Sequence, residues 1–290
     1  MIASRKFKAI DALYILFMII PILAVILLKI FTAPSSDGIS ITGAMIFFEI
    51  NMPFQKLFIT EAQLNSWAVM ISVTFLCLYM THGIRAGTVL KRHHFAEIIA
   101  EKLQSMVAAN MGEYFSGFSP FIAAILLLSA FSSLLTLVGL YPPTSDLNVV
   151  AGWAILVFIL ITYYKFKCGP VVYVKSFANP PLMAPLNIIS EVATPVSMAF
   201  RHYGNVLSGS VISVLVAFGL QSLSKMIFGF LPGFLGNFPF LQIGIPAVLS
   251  IYFDIFSGCL QAYIFAMLTM LYISGGFPAE LYEKKIQGGN

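Results

Sequence analysis

The stretch PLNIISEVATPVSMAFRHYGNVLSGSVISVLVAFGLQSL (Pro185–Leu223) decides the fold. It is apolar almost throughout, yet it carries Glu191, Arg201 and His202. The hydrocarbon core of a bilayer is about 30 Å thick and a helix rises about 1.5 Å per residue, so about 20 apolar residues cross it. This stretch is far longer, and its helix must tilt strongly, kink or project from the bilayer. A second long stretch, Phe240–Ile273, holds Asp254 and Gln261. Four shorter apolar runs precede them: Ala9–Phe31, Ser66–Ile84, Pro120–Tyr141 and Val149–Phe166. The sequence therefore predicts an all-α polytopic membrane protein of about six spans, the last two long and tilted.

Composition agrees. The 290 residues are 59% hydrophobic and 10% charged, with a mean hydropathy of +0.92. Soluble domains run about 45–50% apolar and about 25% charged. The 16 bases and 12 acids leave a net charge of only +4. That excludes a nucleic-acid binder built on a basic face and an acidic disordered chain. Cys77, Cys168 and Cys259 lie far apart in apolar runs, and there is no CxxC, HExxH or Gly-rich phosphate loop. A disulfide framework, a structural zinc site and a nucleotide fold are not expected, and no metal or cofactor is assigned.

The connections carry most of the charge and set the orientation. With the N-terminus cytoplasmic, six spans return the C-terminus to the same side. Twelve of the 16 bases then fall on the cytoplasmic side, among them Arg85, Lys91, Arg92, Lys165, Lys175, Lys284 and Lys285; only Lys29, Lys56 and Lys225 fall on the other. This is the positive-inside bias. The chain divides into an N-terminal hydrophobic helix (1–35), an extracytoplasmic segment (36–65), the main membrane domain (66–278) and a cytoplasmic tail (279–290). The first helix has two readings, a retained span or a signal-like segment ending at Thr32-Ala33-Pro34, and the retained span is favoured by its length. Phe95–Tyr114 has apolar residues at helical spacing. It reads equally as a helix on the membrane surface or one packed on protein. His93 and His94, beside Lys91 and Arg92, are expected at headgroup level. Asp146 and Asn148 are expected to cap the fourth span.

Few charges remain unexplained by topology. Arg201 keeps its proton, and a charge at mid-membrane costs at least about 2.5–3.5 kcal/mol. It reads either as an arginine satisfied by carbonyls or by an acid on a neighbouring helix, or as part of an ion path. Glu191 lies ten residues earlier, about 15 Å towards the cytoplasmic side; it reads as a membrane-edge glutamate or as a channel acid. Asp254 has no base nearby on its own helix. Gln261, seven residues on, is expected on the same face two turns deeper, and Asn205 on the face of Arg201. Asn205 and Gln261 alone would serve as interhelical hydrogen-bond glue. Ser210 reaches the depth of Asp254. These groups form two half-paths, one open to each surface, with a fixed cation between.

At these residues the sequence resembles subunit a of the F-type ATP synthase. The resemblance is carried by Pro185-Leu186-Asn187, Glu191, PVSMAFRHYGNVLSG (Pro195–Gly209) and LQAYIFAMLTMLYIS (Leu260–Ser274), with weaker support from PPTSDLN (Pro142–Asn148) and ITEAQLNSW (Ile59–Trp67). It spans roughly Ile59 to Ser274 and leaves the first helix outside. It implies a non-catalytic stator subunit of the bacterial plasma membrane whose two long helices face a rotor ring of c subunits, with b subunits as peripheral stalk. Arg201 then matches the essential arginine, Asp254 an outer half-channel residue usually His or Glu, Ser210 a position often Glu or His, and Glu191 an inner half-channel acid. Asn205 and Gln261 match polar partners of the arginine. His202 stands where leucine is usual, about 100° round the helix from Arg201, and is read as a packing residue. The transported ion is a proton or, alternatively, sodium. Two other classes compete: a secondary transporter binding an anionic substrate at Arg201, and an intramembrane enzyme using Asp254 and Glu191.

Overall fold

The computed structural model describes residues 2–32, 43–53, 56–84, 90–170, 173, 181–230, 238–242 and 244–275, with side chains from residue 9 onward and excepting 168 and 181. Arg85, Lys175, Lys284, Lys285, Ala33-Pro34 and the whole tail 279–290 lie outside the described residues. Six helices are long and apolar enough to cross a membrane: Ala9–Thr32, Glu61–Thr81, Glu113–Val138, Leu147–Lys167, Ala184–Phe228 and Phe240–Gly275. They fall where the hydropathy places them, and the protein is an all-α polytopic membrane protein.

Helix α1 (Ile2–Thr32) is followed by a short antiparallel hairpin, β1 (Ile46–Asn51) and β2 (Lys56–Thr60). The hairpin falls in a segment given no regular structure from sequence. Helix α2 (Glu61–Thr81) starts five residues before the expected Ser66. The reason is local: Thr60 Oγ1 accepts from Gln63 N–H while the Gln63 side chain accepts from Thr60 N–H. This reciprocal cap satisfies two amides otherwise orphaned at a helix start. Helix α3 (Lys91–Met111), a 3-10 turn (Glu113–Phe118) and α4 (Ser119–Leu134) follow. Asp146 caps α5 (Leu147–Cys168) by accepting from Asn148 N–H at 2.9 Å. Lys165 and Lys167 sit in the last turn of α5, where the helix dipole favours cations.

Helix α6 (Ala184–Phe228) is a continuous 45-residue element despite Pro195. At about 1.5 Å per residue it is about 67 Å long, twice the bilayer core, so it crosses at a steep tilt. The last span is not one plain helix. It runs through α7 (Ile245–Ser250), a π-helical stretch (Ile251–Ser257) and α8 (Gly258–Gly275). Each π turn takes in one residue more than an α turn. Asp254 lies in this stretch and Gln261 beyond it, so the facing between them is rotated from that of a regular α-helix.

Lipid is as apolar as leucine, so membrane helices associate through close packing and hydrogen bonds rather than through hydrophobic burial. The main core joins five helices and the 3-10 turn: Val107 and Met111 of α3, Phe115 of the turn, Ile122 of α4, Val157 and Ile161 of α5, Met198 of α6, and Phe265 and Met270 of α8. Ser129, Ser132 and Ser133 form a small buried face on α4. Gly258 of α8 meets it: a Cβ there would lie 2.6 Å from Ser133 Cβ. Helix α1 packs along α2 through Val25, Ala68, Val69 and Val73. Polar ties hold both ends of that pair. Lys29 Nζ donates to Glu61 Oε1 and to the Gly139 carbonyl, both at 2.8 Å, and Glu61 also accepts from Tyr141 N–H at 3.1 Å. At the other end Asp11 takes His82 Nδ1 at 2.8 Å and Arg92 Nη2 at 3.0 Å.

The second half of the amphipathic tract is packed on protein, whereas its first half keeps an exposed apolar face. Val107 and Met111 enter the core, whereas Phe95, Ile98 and Ile99 are exposed. His94 is exposed, but His93 is buried with Nε2 2.9 Å from the His82 carbonyl, not on the surface as expected.

The α4–α8 contact gives a test. Gly258→Ala is expected to destabilise the protein in detergent by about 1–3 kcal/mol, the usual cost of overpacking. Adding Ser133→Gly removes the opposing Cβ, and the thermal midpoint of the double variant should recover towards the parent's.

Candidate functional site

Helix α6 has two unlike sides. Pro195, Met198, Ala199, His202 and Gly209 are buried against the rest of the chain. Val192, Val196, Phe200, Ile212 and Leu215 are exposed, forming an outward apolar stripe. Arg201 is exposed on this outward side, beside Phe200. Among the described residues it makes no hydrogen bond and no ion pair. No acid or carbonyl of the described chain satisfies it.

Its neighbour His202 is turned fully inward. It is 0% exposed, with Nε2 3.2 Å from Ser129 Oγ and Trp153 and Phe265 packed edge-on at 6.3 and 5.5 Å. The roughly 100° between consecutive helical side chains separates the two roles: one residue faces out, the next builds the core.

Towards the N-terminal end of α6, Glu191 is bound by Lys165 Nζ of α5 at 2.5 and 2.8 Å and accepts from the Tyr173 hydroxyl at 3.4 Å. Burial, with the adjacent Glu191 charge, raises the Tyr173 pKa, so the phenol stays a donor. The pair lines a cleft of about 230 Å³ between α5, α6 and α8, together with Thr194, Pro195, Leu271 and Tyr272. Glu191 is thus neither a bare membrane-edge glutamate nor sealed away. Lys165 was read from sequence only as an orientation marker. Its place in the last turn of a span was the available signal, but only packing brings it to Glu191.

Further along α6 the polar groups meet the π-helical stretch. Asn205 and Ser257 exchange hydrogen bonds, Nδ2 to Oγ at 2.9 Å and Oγ to Oδ1 at 3.1 Å. Asn205 is therefore bonded across helices and not to Arg201. A Cβ on Gly209 would lie 3.2 Å from the Phe253 ring, so glycine sets the approach of the two elements. Ser210, next to it, donates to the Leu207 carbonyl at 2.8 Å. Asp254, next to Phe253, accepts from Ser250 Oγ at 2.6 Å. Ser210 and Asp254 thus lie at one level of α6 without bonding each other. Gln261 is 6% exposed and makes no hydrogen bond among the described residues. The Asp254 level and Glu191 are separated by the 18 residues from Glu191 to Gly209, about 27 Å of helix. They cannot share one substrate atom, which removes the intramembrane-enzyme reading.

Fold and site together define a multi-pass helical membrane protein that presents a fixed cation to something outside itself. The family description "ATP synthase A chain" matches residues 63–274. The chain is 31% identical to ATP synthase subunit a 1 of Crocosphaera subtropica over 215 residues, covering 73% of this chain and 84% of that protein. It is 31% identical to ATP synthase subunit a of Desulforamulus reducens over 74% of this chain and 78% of that one. It is 28% identical to the Legionella pneumophila subunit over 79% and 91%. The chain belongs to the ATP synthase A-chain family, the non-catalytic membrane-sector subunit a. Helix α1 and the hairpin precede the matched region.

The Lys165–Glu191 pair can be tested by a double-mutant cycle. Lys165→Met and Glu191→Gln should each lower stability in detergent, and together by less than their sum. A coupling of about 1 kcal/mol is expected for a partly exposed pair, measured from thermal or denaturant unfolding.

Proposed function

We propose that the chain is the stator subunit that passes ions through two half-channels to and from a membrane carboxylate on each c subunit, coupling ion flow to rotation and ATP synthesis. The observation that carries this reading is the outward, unpartnered Arg201 in an apolar stripe of α6. A cation there needs an acid from another molecule, and a ring of c subunits supplies one carboxylate after another. Beside Arg201 each carboxylate is held ionised, so it arrives loaded, releases its ion, and leaves ready to reload. The same fixed charge repels a cation crossing directly from one half-channel to the other.

Asp254 with Ser210 serves the outer half-path. Serine carries no charge, so Asp254 or water moves the proton there. Glu191, in its cleft beside Lys165, serves the inner one. Gln261 and Asn205 sit between, Asn205 bracing α6 against the π-helical stretch. The membrane potential supplies about 2.3 kcal/mol per charge per 100 mV, so several ions drive each ATP. The N- and C-termini are placed in the bacterial cytoplasm by the positive-inside bias, with b subunits as the peripheral partner. The ion is read as a proton; sodium stays the alternative, since its ligands belong to the c subunit. A secondary transporter is disfavoured, because Arg201 opens to the outside of the chain rather than into an enclosed substrate pocket.

Arg201→Ala should abolish ATP-driven pumping in inverted vesicles and coupled ATP synthesis, while the complex still assembles. Normal pumping by that variant would overturn the assignment.

A further inference from the structure

The hairpin lies outside the matched family region and outside the ion path. Its register gives it two unlike faces. Phe48 stands opposite Ile59, and Ile50 opposite Leu57; Glu49 stands opposite Phe58, and Asn51 opposite Lys56. Side chains alternate along a strand and cross-strand partners share a face. One face is therefore wholly apolar: Phe48, Ile50, Leu57 and Ile59. The other carries Glu49, Asn51 and Lys56 together with a single apolar residue, Phe58, and Lys56 Nζ donates to Glu49 Oε2 at 3.1 Å. The apolar face is only partly covered by the described chain: Phe48 is 52%, Ile50 43% and Leu57 39% exposed.

We propose that this hairpin lies flat on the bilayer, apolar face down, at the end of the membrane where α2 begins. Three observations choose lipid as the occupant. First, an isolated two-stranded hairpin is marginal in water, so an apolar phase must cover that face. Second, β2 ends at Thr60, the cap of membrane helix α2, and Glu61 N–H bonds the Met45 carbonyl at 2.7 Å. The hairpin is thus tied at both strand ends to the rim of a span, where the hydrocarbon is adjacent. Third, the charged residues of the hairpin, Glu49 and Lys56, both lie on the opposite face and pair with each other there beside Phe58, which suits a boundary with water on one side and lipid on the other. The proposal rests on α2 spanning the membrane and not on the ion-path reading.

The test uses the full chain with Cys77, Cys168 and Cys259 replaced by alanine, and single Ile50→Cys, Leu57→Cys, Asn51→Cys and Lys56→Cys variants carrying a nitroxide. These are reconstituted in vesicles of phosphatidylethanolamine and phosphatidylglycerol, and collision with oxygen and with a water-soluble nickel chelate is measured. Positions 50 and 57 should favour oxygen, and 51 and 56 the nickel chelate. Equal nickel access on both faces would show a hairpin free in water; shielding of positions 50 and 57 from both reagents would show a protein cover. Either result overturns the proposal. In the otherwise native chain, Phe48→Trp fluorescence above the parent's should be quenched by brominated acyl chains, and absence of quenching overturns it as well.

Discussion

A guanidinium cannot shed its proton to enter a membrane, so the charge of Arg201 has to be answered by something. The described chain spends its other membrane-level acids elsewhere. Glu191 is held by Lys165, Asp254 by Ser250, Glu61 by Lys29, and Asp11 by Arg92 and His82. None of them pairs with Arg201, which stands outward in an apolar stripe. A lone charge in lipid costs at least about 2.5–3.5 kcal/mol. The rest of the architecture makes sense as a frame that holds this cation outward while keeping every internal acid away from it.

That frame is built without hydrophobic drive between helices. Small residues permit close approach: Gly258 against Ser133, Gly209 against Phe253, and the serine face of α4. Hydrogen bonds then fix register, as between Asn205 and Ser257. His202 serves the same end, filling the space between Ser129, Trp153 and Phe265 one residue after the arginine. The buried side of α6 is thus locked, which is what keeps its other side facing outward.

The π-helical stretch is a local departure with a positional result. It lies where the last span crosses α6 near Gly209, and it carries Asp254 at its centre. By adding residues per turn it rotates the facing of Asp254 relative to that of Gln261. Asp254 stays half-buried and bonded to Ser250, whereas Gln261 turns into the packed interior. π turns are often found at functional sites, and this one separates an acid from the helix face that a regular repeat would have given it.

Six spans, their rough ends and the odd polar residues on the last two were legible in the sequence, because a membrane helix needs only length and apolarity, and a charge in such a run is rare. The cap of α5 was legible at Asp146, whereas the Thr60–Gln63 cap that starts α2 at Glu61 was not read. Other features had no local signal. The pairing of Lys165 with Glu191 and of Asn205 with Ser257 joins residues far apart in the chain. The burial of His93 and the π stretch likewise depend on neighbours. The hairpin was not read from the sequence, since its strands are short and a bulge between Ile46 and Phe48 interrupts their register. Sequence alone thus determined that a fixed cation lies at membrane depth. Only the tertiary structure decided that it points outward, unanswered, because which side of a long apolar helix is buried is set by the helices packed against it.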